Sequence, residues 1–137
     1  MEAKKYLMQV YEINKNINSL EEELLVLDTI AKGGAINYKE KVQSSKGVNT
    51  ENIICKIADT KSIINDLIRD KLELVTEITL KINELEDNTL EMILRDRYLK
   101  CKCWEQIAVD LNYSIRYVYK LHGKALKSFD KILKRGQ

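Results

Sequence analysis

Proline is absent from this 137-residue chain, and glycine, cysteine and histidine number only five, three and one. Because proline and glycine are the residues that most disfavour a helix interior, long helices meet few interruptions here. No apolar run approaches the roughly 20 residues needed to cross a bilayer, and no stretch resembles a signal peptide. A glycine-rich phosphate loop is missing, as is a pairing of the single histidine with a nucleophile in a readable motif. These absences predict a soluble, all-α, cytoplasmic protein that is neither an enzyme nor a membrane protein.

The charged residues are distributed unevenly, although the formal net charge of the whole chain is only +2. Residues 95–137 contain 11 Lys and Arg against 4 Asp and Glu, a net charge of +7. Residues 1–94 contain 12 Lys and Arg against 17 Asp and Glu, a net charge of −5. This segregation is expected if the C-terminal part contacts phosphate and the N-terminal part does not, although a solvated basic tail gives the same count.

The N-terminal region carries two heptad patterns, in which apolar residues recur in alternating steps of three and four. The first pattern consists of Tyr6, Val10, Ile13, Ile17, Leu20, Leu24, Leu27 and Ala31. Gly33 and Gly34 should end this helix, and residues 33–49, which lack periodicity, predict a loop. The second pattern follows a cap at Asn49 or Thr50 and consists of Ile54, Ile57, Lys61, Ile64, Ile68, Lys71, Val75, Ile78, Ile82 and Leu85.

We predict from these patterns that residues 1–86 form a long helical hairpin or coiled coil. Additional apolar residues widen the second pattern, so a lone hairpin would leave much apolar surface exposed to water. Self-association is therefore favoured, and a homodimer is the expected form. Lys61 and Lys71 occupy positions of the second heptad pattern, here called the second seam. They either fix the register and the number of associating helices or extend toward solvent without affecting the association.

Residues 87–137 predict a second domain, which contains two helices joined by a tight turn. Asn88 or Thr89 begins another helix, which precedes these two, with Glu91 as a capping partner. The core positions are Leu90, Ile93, Leu94, Tyr98, Leu99, Ile107, Ala108, Leu111, Val118, Leu121, Ala125 and Leu126. Asn112 suits the left-handed conformation that a tight turn needs, and Ser114 suits the N-cap of the helix that follows. This arrangement predicts a helix-turn-helix whose second helix, residues 114–130, enters the major groove of double-stranded DNA.

At these residues the chain resembles a known family. The motifs are Arg-Tyr-Leu from Arg97, Trp-Glu-Gln-Ile-Ala from Trp104, Tyr-Ser from Tyr113, and Val-Tyr-Lys-Leu-His-Gly-Lys-Ala-Leu from Val118. Together they resemble region 4 of bacterial sigma-70-type factors. They are more similar still to the sigma-region-4-like regulators encoded by phages and prophages of Gram-positive bacteria, the ArpU-type group. The resemblance covers nearly the whole length, and its C-terminal motif is the specific part.

The resemblance implies which side chains contact DNA. Exposed residues at the start of the second helix meet base edges, and here these are Ile115, Arg116, Tyr119 and Lys120. The Arg116 guanidinium can donate two hydrogen bonds to guanine. Ile115 and Tyr119 differ from the polar residues usual in housekeeping sigma factors, so the DNA sequence read should not be a standard promoter element. Contacts to phosphate position a protein on DNA without specifying the base sequence. The predicted phosphate contacts are Lys100, Lys102, Lys124, Lys127 and Lys131.

Each of these residues also has a plainer interpretation. Arg116 and Lys120 are equally typical of a solvated helix face, and Tyr119 of packing between helices. Cys101 and Cys103 near His122 suggest a metal site. However, C-x-C with one histidine does not complete a tetrahedral zinc set, and Cys55 lies on a distant helix. No metal or other cofactor is therefore predicted.

The resemblance implies a sequence-specific transcriptional regulator of phage origin, with host RNA polymerase as a further partner. Residues 1–86 contain no segment suited to melting a promoter, so a complete sigma factor is not expected. One alternative is a phage DNA-packaging protein, because small terminase subunits also combine a helix-turn-helix with helical oligomerisation segments. Another is a protein-interaction module whose helix-turn-helix does not touch DNA.

Overall fold

The computed structural model describes residues 2–33 and 50–136. They form α1 (Glu2–Leu7), α2 (Gln9–Ala31), α3 (Thr50–Ile82), α4 (Asn88–Leu94), a π-helical segment (Arg95–Leu99), α5 (Trp104–Leu111) and α6 (Ile115–Arg135). Within these two ranges no residue lies in a β-strand. The predicted all-α class is confirmed.

None of the helices in this part of the chain is both long and apolar enough to cross a membrane.

Helices α1 and α2 are almost continuous, because hydrogen bonds bridge the break at Met8. The Met8 N–H donates to the Lys4 carbonyl at 2.9 Å, and the Glu12 N–H donates to the Met8 carbonyl at 3.2 Å. Helix α2 ends at Ala31, and Gly33 adopts a left-handed conformation with a φ of +66°. Glycine pays no steric penalty there because it lacks a Cβ. The predicted helix stop is confirmed, whereas the predicted loop over 33–49 lies outside the described residues beyond Gly33.

The described residues fall into two compact units. One comprises residues 14–70, and the buried side chains among its described residues, 14–33 and 50–70, are Ile17, Thr60 and Ile64. Two apolar positions of the second seam, on α3, are exposed to solvent in this unit: Ile54 is 55% exposed and Ile68 is 40% exposed. The heptad pattern therefore supplies more apolar surface than this unit buries.

The other unit, here called the C-terminal unit, comprises residues 2–13 and 71–136. It is larger than the 87–137 segment predicted as the second domain, because α1 packs against α6 and adds to the core. The ring of Tyr6 lies 5.9 Å from that of Phe129. The completely buried apolar side chains of this unit are Ala3, Leu7, Val10, Ile78, Ile82, Ile93, Leu94, Ile107, Val118, Ala125 and Phe129.

Helix α4 begins at Asn88, which is one of the two predicted starts, but its cap differs from the predicted capping box. Asp87, not Asn88 or Thr89, is the N-cap, and its Oδ1 accepts hydrogen bonds from the N–H groups of Thr89 at 2.9 Å and Leu90 at 3.2 Å. Asp87 can do so because its backbone is extended, with φ −102° and ψ 113°. A short aspartate side chain in that conformation reaches the first unpaired helical N–H groups. The predicted capping role of Glu91 is therefore not needed.

A π-helical segment connects α4 to the next helix. The Lys100 N–H donates to the Arg95 carbonyl at 3.0 Å, five residues back, and the Lys102 N–H donates to the Asp96 carbonyl at 2.9 Å. Cys101 takes a left-handed conformation with a φ of +56°, which is uncommon outside glycine and asparagine. The wider turn leads the chain out of the helix toward α5, and the carbonyl of Lys102 accepts a hydrogen bond from the Arg97 guanidinium at 3.0 Å.

Candidate nucleic-acid interface

The connection between α5 and α6 has the conformation predicted from its sequence. Asn112 is left-handed, with φ 61° and ψ 40°. The N–H groups of Asn112 and Tyr113 donate to the carbonyls of Val109 and Ala108 at 3.1 and 3.0 Å. Ser114 is the N-cap of α6, and its hydroxyl oxygen accepts a hydrogen bond from the Tyr117 N–H at 3.2 Å. Hydrogen bonds thus cap the end of α5 and the start of α6 within three residues, which fixes where α6 begins.

Helix α6 is amphipathic, with an apolar side in the core and a basic side in solvent. Its buried residues are Val118, Leu121, Ala125, Leu126, Phe129 and Ile132. Five of its exposed cations, here called the basic stripe, are Arg116, Lys120, Lys124, Lys127 and Lys131, and the exposed Lys134 and Arg135 follow in the last turn. At 3.6 residues per turn, the stripe residues lie within about 80° of one another on the side away from the core. They run along about 22 Å of helix at 1.5 Å per residue.

Carboxylates leave the basic stripe uncovered. Asp130 is the single acidic residue of α6, and its Oδ2 lies 3.3 Å from Nζ of Lys134, which follows the stripe in the last turn of the helix. Over residues 2–33 and 50–136, the ion pairs involve other cations. The stripe therefore presents positive charge to solvent along four turns of helix, as a surface that binds a polyanion does.

Three of the four predicted base-contacting residues share the outer side of the first turns of α6. Arg116 and Lys120 are exposed, and Tyr119 is 49% exposed. Ile115 is different, because it is partly buried and packs against the core. As the first residue of α6, it lies on the flank of the helix and not on its outer side. The structure therefore brings Arg116, Tyr119 and Lys120 together and leaves Ile115 at their edge.

The predicted phosphate contacts separate into two groups. Lys124, Lys127 and Lys131 belong to the basic stripe. Lys100 and Lys102 instead pair with carboxylates: Nζ of Lys100 lies 3.5 Å from Asp96, and Nζ of Lys102 lies 2.9 Å from Asp110. The hydrogen bond to Asp110 is the main reason that the pKa of Lys102 is raised, and it also lowers the pKa of Asp110. A phosphate would have to compete with these carboxylates, so the stripe is the stronger candidate surface.

An aromatic cluster on α5 and α6 packs against Tyr119, one of the outer residues of α6. The indole of Trp104 meets Tyr119 edge-on at 5.4 Å between ring centroids, and it meets His122 at 4.5 Å. The guanidinium of Arg97 lies 4.5 Å from the centroid of the Trp104 ring. Such aromatic and cation–π contacts prefer defined geometries. Tyr119 is therefore held by α5 on one side while its other side faces solvent.

His122 takes part in the same aromatic cluster. Its Nε2 lies 2.7 Å from the hydroxyl of Tyr98, and the two rings stack at 5.8 Å. Burial is the main cause that lowers the pKa of His122 to about 4, and the positive charges of Lys4 and Arg97 add to it. Within the described residues, no three His, Cys, Asp or Glu side chains cluster as a metal site would require.

One contributor to this aromatic cluster was not identified from the sequence. Tyr11 of α2 donates a hydrogen bond from its hydroxyl to the carbonyl of Arg97, and its ring lies 5.6 Å from the Arg97 guanidinium. Tyr11 lies outside the heptad pattern, and that position was the available signal that it faces another neighbour. Through Arg97, the N-terminal residues contact the side chain that packs on Trp104.

Comparison of this chain with protein-family models, with curated proteins and with solved structures finds no match.

Proposed function

We propose that this protein is a sequence-specific DNA-binding transcriptional regulator that reads the major groove with α6. The observation that carries the proposal is the basic stripe, which lies opposite the core of α6 and begins at the end where Arg116, Tyr119 and Lys120 are exposed. Helix α5 and its turn to α6 support this interpretation, because a helix-turn-helix needs the second helix fixed by the first and its outer side open. A phage origin and contact with host RNA polymerase rest on the resemblance to sigma region 4 alone.

The length of α6 divides its residues between two roles. A helix of 21 residues extends about 31 Å, whereas the major groove is about 12 Å wide. The first two turns therefore enter the groove, where Arg116 reaches base edges, Lys120 reaches a base edge or the neighbouring phosphate, and Tyr119 lies at the rim. The remaining turns leave the groove, so that Lys124, Lys127 and Lys131 contact phosphates and set orientation without reading sequence.

Self-association through residues 14–70 is the second part of the proposal. This unit exposes large apolar side chains: Leu25 is 67% exposed, Ile54 55% and Ile63 49%. Apolar surface of this kind, together with the heptad pattern, favours pairing with a second copy. Two copies would present two α6 helices to DNA. The mass in solution, measured by light scattering, distinguishes the expected dimer from the many-membered ring expected of a DNA-packaging protein.

The proposal is tested by selecting DNA fragments that the full chain binds, from random and from phage and host DNA. A recovered motif with two-fold symmetry is the expected result. On that motif, Arg116→Ala should weaken binding by about 1–3 kcal/mol and relax the preference at one base pair. Arg69→Ala is the matched control, because Arg69 is also an exposed arginine on a helix, and its guanidinium pairs with Asp66 at 3.5 Å.

Two results would count against DNA reading by α6. The first is that no fragment is enriched above the input. The second is that Arg116→Ala and Lys120→Ala bind the selected DNA as tightly as the parent and as Arg69→Ala. Either result would favour a protein-interaction module instead.

A further inference from the structure

Gly123 lies in the middle of α6, where a glycine has no evident structural purpose. Glycine disfavours a helix interior more than any residue except proline. It is retained when the backbone must adopt a left-handed conformation or when another group must approach closely. The first reason does not apply, because Gly123 is an interior residue of a regular helix.

Packing within the chain does not explain this glycine either. A Cβ built at Gly123 meets no atom within 4 Å. An alanine would therefore fit the folded chain and would improve its helix propensity. What remains is a group from outside the described chain that comes close to the helix backbone at this position.

The neighbours of Gly123 indicate the chemistry of that group. One turn before it on the helix surface are Tyr119 and Lys120, and one turn after it is Lys127. All three side chains are exposed, and both lysines belong to the basic stripe. The notch left by the missing side chain is thus bordered by two ammonium groups and a phenol, which are hydrogen-bond donors for an anion.

The axial position of Gly123 fits the wall of a DNA groove. It follows Arg116 by seven residues, which is about 10 Å along the axis at 1.5 Å per residue. The major groove is about 12 Å wide. When Arg116 faces base edges, Gly123 lies where the helix passes the sugar–phosphate backbone.

We propose that Gly123 is the point where a DNA phosphodiester comes into contact with the backbone of α6, flanked by Lys120 and Lys127. The inference rests on the proposed DNA-binding function and assigns a close-approach site within it. A helix from a second copy is the less favoured occupant, because two basic stripes would repel each other.

The test uses Gly123→Ala and Gly123→Leu in the full chain, since both residues are strong helix formers and differ in size. Both variants should raise the midpoint of thermal unfolding. Gly123→Ala should weaken binding to the selected DNA about tenfold, the loss expected for one displaced charge-assisted contact, and Gly123→Leu should weaken it further. Thr76→Ala is the matched control, because it raises helix propensity at an exposed position of α3 in the same unit.

The outcomes separate this inference from the function on which it rests. If the parent binds DNA and Arg116→Ala weakens that binding while both Gly123 variants bind like the parent, the close-approach site is wrong and the function stands. If Gly123→Ala changes the mass in solution and not the affinity for DNA, a second copy occupies the notch and the inference is overturned. If the parent binds no DNA, both the close-approach site and the proposed function are wrong.

Discussion

Replacing Leu7 with alanine should destabilise the C-terminal unit, although Leu7 is more than 100 residues from α6 in the sequence. Leu7 is completely buried in the same core as Phe129 and Val118. Burying a leucine side chain stabilises a fold by about 1.5–3 kcal/mol. The cavity left behind adds to the loss, so Leu→Ala at a buried site costs about 2–5 kcal/mol. We expect about 3 kcal/mol, a large share of the roughly 5–15 kcal/mol by which a domain is stable.

Urea denaturation followed by tryptophan fluorescence measures this effect directly. Trp104 is the single tryptophan of the chain and packs against His122 in the C-terminal unit, so its emission reports that unit alone. Leu80→Ala is the control, because Leu80 is 63% exposed on α3 in the same unit and should change the unfolding free energy by less than about 0.5 kcal/mol. Equal midpoints for Leu7→Ala, Leu80→Ala and the parent would refute the packing of α1 into this core.

Three further predictions concern the cap, the histidine and the apolar surface. Ser114→Ala should lower the unfolding free energy by about 1 kcal/mol because the Tyr117 N–H loses its acceptor, whereas Ser114→Asp should retain the cap; urea titrations of both variants check this. Unfolded histidine takes up a proton near pH 6.5, but His122 in the folded chain does so only near pH 4. Stability should therefore fall as pH falls through that window and should not depend on this group above it. His122→Gln should flatten that part of the stability–pH curve, and an unchanged curve would contradict the assignment. Ile68→Glu should weaken self-association in light scattering without shifting the Trp104 unfolding midpoint; an unchanged mass would exclude this face from the interface.

Helix positions and the α5–α6 turn were predictable from the sequence because their causes are local. The absence of proline, the position of Gly33 and the preferences of Asn112 and Ser114 act within a few residues. The amphipathic period of α6 likewise identified its buried side before any packing was known. The basic stripe follows from the same period, since the side opposite the core must face solvent.

The packing of α1 could not be predicted in the same way. Tyr6 and Val10 begin a heptad pattern whose spacing fits a coiled coil as well as a globular core. Only the tertiary arrangement decides that Leu7 and Val10 join the core of the C-terminal unit. The ion pairs of Lys100 and Lys102 were missed for a related reason. The π-helical segment and the left-handed Cys101 bring these lysines to Asp96 and Asp110, and helical periodicity does not reveal such a turn.

The salt dependence of DNA binding tests the role of the basic stripe most directly. If Lys124, Lys127 and Lys131 contact phosphate, the plot of log K against log salt concentration should have a slope of about −3, since each contact contributes about −0.9. Replacing Lys124 and Lys127 with glutamine should make the slope shallower by about 2. Replacing Lys15 and Lys56, which are exposed on α2 and α3, should leave it unchanged. A parent slope near zero, or the same slope for both double variants, would contradict binding of DNA by the outer side of α6.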